Sequence, residues 1–165
     1  MWNVAVLTVL ISVAGVYTAR NFQTLDTAHG NLAASTAAEM GVYRNAVVDY
    51  FSDHDLRSVS VPTATLKSGG YLPSWSRLYQ QAAALEWSNY RGADGVIYIY
   101  ANRLPAQNLA GELAALARNT VLVGIYSSAS STLQSPVYGD TGIPISAISG
   151  MSIPEGAPVW IAMTK

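Results

Sequence analysis

The first 19 residues of the chain contain no Asp, Glu, Lys, Arg or His, and this stretch limits the possible folds most strongly. The nine basic and ten acidic residues all lie from Arg20 onward. As a helix, Trp2–Ala19 extends about 27 Å, close to the ~30 Å hydrocarbon core of a bilayer. Trp2 and Tyr17 lie near its ends, where amphipathic rings suit the lipid–water interface. The sequence therefore predicts a transmembrane anchor at residues 1–19.

A cleaved secretory signal is the competing interpretation of this stretch. Such signals begin with basic residues, have a shorter apolar centre and end at a cleavage site between small residues. Here no Lys or Arg precedes the apolar run, and Val16 and Tyr17 continue it beyond Ala14 and Gly15. We therefore expect the anchor to be retained. Arg20 is the only basic residue close to it, so charge alone does not assign its orientation.

Composition restricts the functions open to residues 20–165, which are predicted to form one domain. The net charge of −1 provides no basic stripe for phosphates, so we expect no binding of nucleic acid. The chain has no cysteine, which excludes disulfides, thiol catalysis and cysteine-based metal sites. About 146 residues are enough to bury a hydrophobic core.

A long amphipathic helix is predicted over residues 20–55. Its apolar and small residues recur at steps of three and four, which is the period of one helix face. Glu39 and Asp49 fall on other faces, as expected for a helix with one side against a core. The predicted stripe consists of Leu32, Thr36, Met40, Tyr43, Val47 and Tyr50.

A β-hairpin is predicted after this helix, with strands at Glu86–Tyr90 and Val96–Tyr100 around the turn Arg91–Gly95. A β-branched and aromatic run directly after a glycine-bounded turn favours this assignment. Before the hairpin, prolines and paired glycines predict an irregular connection at Arg57–Pro73. A short helix is compatible with the spacing in Trp75–Trp87.

The rest of the chain predicts a second helix and three more strands. Pro105 and Asn119 bracket the helix, which has Leu109, Leu113 and Leu116 on one face. The strands are expected at Val121–Tyr126, Leu133–Tyr138 and Pro158–Met163, with a serine-rich turn between the first two. Short antiparallel strands with grouped helices indicate an α+β fold. We expect an amphipathic helix and a second helix packed on a mainly antiparallel sheet, after the transmembrane helix.

Three short motifs could carry chemistry, but a structural interpretation suits each better. Asp53-His54-Asp55 offers metal ligands, yet adjacent side chains diverge and no other His or Cys completes a site. Ser127–Ser131 lacks a Gly-x-Ser-x-Gly elbow and a positioned base, so we expect a turn. Gly139–Gly142 is expected as a turn, although its Asp-Thr-Gly triplet matches aspartic proteases. We expect no enzyme activity, metal, cofactor or small-molecule substrate.

Tyrosines on the second hairpin strand are candidate contact residues. Tyr98 and Tyr100 fall on one strand face, whereas Ile97 and Ile99 fall on the other. The tyrosines either pack in the core or meet a partner, since exposed aromatic residues are typical of protein interfaces. With the helix stripe, they give the candidate protein-contact set Met40, Tyr43, Val47, Tyr50, Tyr98 and Tyr100.

Five phrases occur in order along the chain: Val42–Tyr50, Trp87–Asn89, Gly95–Tyr100, Val121–Ile125 and Gly139–Pro144. Together with the uncharged N-terminal stretch, they resemble the PilM family of type IVB and conjugative thin pili. This resemblance implies a non-enzymatic accessory protein of pilus biogenesis with one pass through the bacterial inner membrane. It also implies that residues 20–165 lie in the periplasm and contact other proteins of the pilus machinery.

A minor pilin, an anchored periplasmic hydrolase and a domain that binds cell-wall glycan through exposed rings remain open as functions. A minor pilin also begins with an apolar helix above an antiparallel sheet, but it needs a peptidase site before the apolar run and usually a glutamate five residues into it. Here the apolar run begins at Trp2, and no Glu precedes Glu39. The sequence therefore favours an accessory protein over a processed pilin subunit.

Overall fold

The computed structural model describes residues 30–80 and 87–164 of the 165-residue chain. The predicted anchor at residues 1–19 lies outside the described residues, as does the beginning of the helix predicted over residues 20–55. Within the two described ranges, no helix combines the length and the apolar character that crossing a bilayer requires.

Helix α1 occupies residues 30–53 and confirms the described part of the predicted long helix. Its buried side chains recur at steps of three and four, with Met40, Tyr43 and Val47 as the largest in its middle turns. The start of the predicted stripe was wrong, because Ala33 and Ala37 face the core where Leu32 and Thr36 were expected. Leu32 is half exposed.

Six strands form one antiparallel sheet in the order β1-β2-β6-β3-β4-β5. They are β1 (Trp87–Arg91), β2 (Ile97–Ala101), β3 (Val123–Ile125), β4 (Thr132–Ser135), β5 (Gly139–Pro144) and β6 (Pro158–Ala162). The predicted hairpin is confirmed as β1 and β2, and the predicted pairing across the serine-rich turn is confirmed as β3 with β4. The last strand, β6, lies between β2 and β3 and joins the two halves of the sheet.

Three shorter helices accompany the sheet in the described residues: α2 (Thr63–Ser68), α3 (Arg77–Gln80) and α4 (Ala110–Leu116). The prediction of an irregular connection at Arg57–Pro73 was wrong in part, because α2 lies inside it. Proline and glycine bound this helix rather than prevent it. Pro62 has the φ of −63° that suits a helix start, and Gly70 takes a φ of 76° just after the helix ends.

Strand β5 is a second correction, because Gly139–Gly142 was expected as a turn. Gly139 and Gly142 have φ values of 72° and 68°, which other residues rarely adopt. Between them, the Thr141 hydroxyl donates a hydrogen bond to the carbonyl of Leu133 on β4. This side-chain bond lies where the β4–β5 register is irregular, so the segment pairs as a strand despite its turn-like composition.

The central strands β2 and β6 are buried along their whole length. On one face Ile99 lies opposite Trp160, and this face packs against α1. On the other face Tyr98 and Tyr100 donate hydrogen bonds to the Pro144 carbonyl and to Met151 Sδ. The segment after β5, which includes a 3₁₀ helix at Ser146–Ile148, therefore covers the tyrosine face. The observed architecture is α+β, as predicted.

Candidate functional site

The candidate contact residues predicted from the sequence lie mainly in the hydrophobic core. Five of them are almost fully buried, and the sixth is partly exposed. The buried five are Met40, Tyr43, Val47, Tyr98 and Tyr100, and the partly exposed one is Tyr50. The core-packing interpretation of the two strand tyrosines agrees with this burial. Contact of the set with a partner stays a prediction, and within the folded domain only Tyr50 is within a partner's reach.

A buried amide connects α1, β1 and the segment before α2. Asn89 is 1% exposed, and its Nδ2 donates to Tyr43 Oη and to the Val61 carbonyl, both at 2.8 Å. Its Oδ1 accepts from the Val61 N–H at 2.9 Å. Burial raises the pKa of the Tyr43 phenol, so this group stays a neutral hydrogen-bonding partner. Asn89 therefore has a structural role that the sequence analysis did not assign.

Arg91 closes the C-terminal end of α1. Its guanidinium is buried and donates to the carbonyls of Phe51, His54 and Leu56 at 3.2–3.4 Å. Its Nη2 also forms an ion pair with Asp55 Oδ1 at 2.9 Å. Carbonyls at a helix C-terminus lack partners within the helix and carry negative partial charge, so a cation stabilises them. The Asp55 carboxylate is thereby paired with Arg91, and also with Arg57 Nε at 3.5 Å.

The side chains of Asp53-His54-Asp55 point to different partners. Asp53 Oδ2 accepts a hydrogen bond from the Tyr71 hydroxyl at 2.9 Å, which raises the pKa of Tyr71. The His54 ring stacks on Tyr50 with centroids 4.4 Å apart. Asp55 faces Arg91 instead. No group of three potential metal ligands comes together in the described part of the chain.

The polar side chains in and around the serine-rich turn and the Asp-Thr-Gly triplet form local hydrogen bonds. Glu155 accepts a hydrogen bond from the Ser128 N–H at 2.7 Å, and this bond lowers the pKa of Glu155. Asp140 Oδ1 accepts from the Gly142 N–H at 2.9 Å, which likewise lowers the pKa of Asp140. Ser130 Oγ lies 2.9 Å from Thr132 Oγ1. The expected turn at Ser127–Ser131 agrees with this geometry.

Large apolar side chains remain exposed at several places that the sequence pattern does not indicate. The loop patch consists of Trp75, which is 72% exposed, and Tyr79 in α3. The groove patch is the surface around a cavity of about 480 Å³ that Pro136 and Pro158 line, and its exposed apolar side chain is Leu104, which is 57% exposed. Such exposed apolar surface is typical of contact sites in soluble domains.

A third surface combines apolar groups with a charge where α1 and α4 meet over β6. We call it the Arg44 patch, and it consists of Gly41, Arg44, Leu116 and the Trp160 ring. The Arg44 guanidinium lies 5.1 Å from the centroid of the Trp160 ring. Leu116 is 48% exposed, whereas Leu109 and Leu113, which were predicted on the same helix face, are buried. Helix α4 ends at Leu116, and Leu109 immediately precedes its first residue.

Comparisons with known proteins identify the family. The sequence profile of PilM matches residues 9–161. None of the curated proteins matches the chain. Among solved structures, a crystal structure of a protein named PilM from Escherichia coli B7A has a TM-score of 0.51 at 18% identity, over 81% of this chain and 93% of that chain. This likeness shows a shared fold. Because the profile covers most of the sequence, the chain belongs to the PilM family.

Proposed function

We propose that this PilM-family chain is a non-enzymatic assembly component of a type IVB (thin) pilus. In this proposal, residues 1–19 hold it in the bacterial inner membrane, and the α+β domain contacts other pilus proteins in the periplasm. The observation that carries the proposal is the family match over residues 9–161, which reaches into the predicted anchor. Membrane attachment raises the effective concentration of the domain for other anchored components, so no single interface has to be strong.

The roles of the polar residues support an assembly protein over an anchored hydrolase. Asn89 and Arg91 bind backbone groups of the fold itself. Asp140 accepts a hydrogen bond from the Gly142 N–H within β5, and Glu155 accepts one from the Ser128 N–H in the serine-rich turn. The notable exposed features are large apolar and aromatic side chains, which protein interfaces favour.

A complementation experiment tests the anchored assembly role. In a strain from which the gene for this chain is deleted, the full chain should restore pili, whereas a chain without residues 1–19 should not. The control replaces residues 1–19 with an unrelated single-pass anchor and should restore pili, because the proposal requires attachment and not a particular sequence. Normal piliation by the anchorless chain would contradict the proposal.

The same strains separate an assembly component from a minor pilin. Sheared and purified pili should lack the chain, which should remain with the membranes. A minor pilin would instead co-purify with the pili in a constant ratio to the major subunit. Immunoblots of the two fractions distinguish these outcomes.

A further inference from the structure

The strongest unassigned feature of the surface is the unmatched charge of Arg44. Its Nη1 donates to Asn45 Oδ1 at 3.1 Å, while its Nε is buried and has no hydrogen-bond acceptor within the described residues. No ion pair in residues 30–80 and 87–164 involves Arg44. Burial lowers the pKa of this guanidinium, since a partly covered cation without a counter-charge is less stable than one in water. An incoming carboxylate would relieve this cost.

The surroundings of Arg44 define what else a ligand would meet. A Cβ atom placed on Gly41 would lie 3.2 Å from Leu116 Cδ2 and 3.8 Å from the Trp160 ring. Leu116 is therefore beside α1, within one helical turn of the Arg44 position. The patch thus presents one cation beside one exposed leucine, with the aromatic ring beneath the cation. This pairing suits an acidic side chain that has an apolar neighbour.

We propose that the Arg44 patch binds an Asp or Glu side chain of another pilus-machinery protein, with an apolar residue of that protein packed on Leu116. The proposal rests on the assembly role above and names the chemistry of its partner. Carboxylate–guanidinium hydrogen bonds are among the strongest in proteins, and arginines beside apolar groups are frequent energetic centres of interfaces. Charge complementarity between the unpaired cation and a carboxylate is the basis of this assignment.

A second copy of this chain fits the patch less well. A two-fold dimer through this face would bring the same patch of each protomer together, and therefore two Arg44 cations. Like charges across an interface oppose association. The nearby carboxylate of Glu39 is engaged by Arg77 at 2.9 Å, so it is not available to neutralise the pair.

An anionic lipid also fits less well than a protein. Arg44 is 14 residues beyond residue 30, which is about 21 Å along a helix axis. In the proposed function, the lipid headgroups surround the anchor that precedes this helix. The patch therefore lies away from the headgroups, farther along α1 than the helix end nearest the anchor. A partner protein can reach the patch at this position.

Site-specific photo-crosslinking in the native envelope tests the proposal. The full chain carries p-benzoylphenylalanine in place of Ala115, an exposed residue beside Leu116. We expect a crosslink to a pilus-machinery protein whose yield falls about tenfold with Arg44→Leu, as for loss of a contact worth ~1.4 kcal/mol. Arg44→Lys should retain part of the yield because it keeps the charge. Mass spectrometry should place the crosslink near an Asp or Glu next to an apolar residue.

A second variant keeps the test independent of folding. Leu116→Glu introduces a carboxylate at an exposed position beside Arg44, so it should occupy the cation from within the chain and lower the yield similarly. Circular dichroism melts of each variant establish that the domain stays folded. A reversed pair, Arg44→Glu with the partner's acid changed to Arg, should recover the crosslink.

The controls decide between this proposal and its rivals. With the photoreactive residue in place of Trp75, in the loop patch, the crosslinks should not change with Arg44. A yield at position 115 that is equal in wild type and Arg44→Leu would overturn the proposal, as would products containing only lipid or a second copy. Piliation by the chain without residues 1–19 reports on the anchored role separately, so failure of either proposal can be recognised alone.

Discussion

Two polar residues of β1, Asn89 and Arg91, lie on the face of the sheet that packs against α1. Each satisfies backbone groups of a segment that has no regular partner there: Val61 before α2, and the carbonyls at the end of α1. A buried backbone N–H or C=O without a partner costs about as much as a lost hydrogen bond. We therefore attribute the fixed position of residues 54–61 to these two side chains together with the backbone bridge between Val59 and Arg91.

Replacing Asn89 with Ala should lower the free energy of unfolding by about 3 kcal/mol. The change removes three hydrogen bonds and leaves the N–H and C=O of Val61 without their partner in a buried setting. Urea denaturation of the domain measures this difference. As a control, Asn31→Ala on the exposed side of α1 should change the free energy of unfolding by less than about 0.5 kcal/mol. Equal effects of the two changes would refute the assigned role.

Arg91→Met should destabilise the domain by about 2–3 kcal/mol, although it keeps most of the apolar stem. The loss comes from the carbonyls of Phe51 and Leu56, which lose a charged donor at the helix end. Amide hydrogen exchange near the end of α1 should increase as well. The matched change at exposed Arg103, Arg103→Met, should alter neither quantity; the account fails if the two variants behave alike.

At the scale of elements, the hydrophobic period predicted most of the structure. The helix pattern predicts α1 because its core positions repeat over about five turns. The β-branched and aromatic run after a glycine-bounded turn predicts β2. Strand β5 was missed because its pairing depends on the Thr141 side chain and on positive φ at two glycines. These features cannot be recognised in a polar, glycine-rich phrase.

The candidate site was predicted less well than the fold. Tyr98 and Tyr100 belong to a strand whose two faces are both buried, and the segment that covers the tyrosines comes about 45 residues later. The Arg44 patch forms from three elements that are distant in sequence. Periodicity within one element gives no information on such contacts, so only the tertiary structure reveals them.

The junction between β3 and β4 gives a prediction about an element. Gly124 on β3 faces β4 so closely that an added Cβ would lie 2.8 Å from both the Gln134 carbonyl carbon and Leu133 Cγ. Gly124→Ala should therefore destabilise the domain by about 3 kcal/mol, because backbone has to move. The control Gly111→Ala lies in α4 with open space around it, and should stabilise by up to about 1 kcal/mol. Thermal melts that rank the two variants in the opposite order would contradict this packing.

At the scale of the whole molecule, β6 makes the sheet a single unit, since it pairs with both β2 and β3. Helix α1 covers one face of β6, and the segment after β5 covers the other face of the central strands. The central sheet is therefore closed to partners on both sides. Among the described residues, the loop patch, the groove patch and the Arg44 patch lie outside these covered faces and are open to contact.

The stability of the folded domain should depend on pH through Asp140 and Glu155. Hydrogen bonds from the Gly142 and Ser128 N–H groups lower the pKa values of these carboxyls in the folded state. Their contribution is thus fully present above the unfolded-state pKa of ~4 and is lost as pH falls through the lower folded-state pKa. The melting temperature of Asp140→Asn/Glu155→Gln should lie below that of the wild type at pH 6. This difference in melting temperature should become smaller towards pH 2.5. A difference that grows on acidification would contradict this assignment.

The most direct test of the anchored assembly role is the intact mass of the full chain isolated from fractionated cells. The account predicts that a species of 17.5 kDa, with residues 1–19 still attached, stays in the inner-membrane fraction after washing at high pH. Recovery of a shorter chain without those residues, or of the full chain in the aqueous fraction, would contradict it.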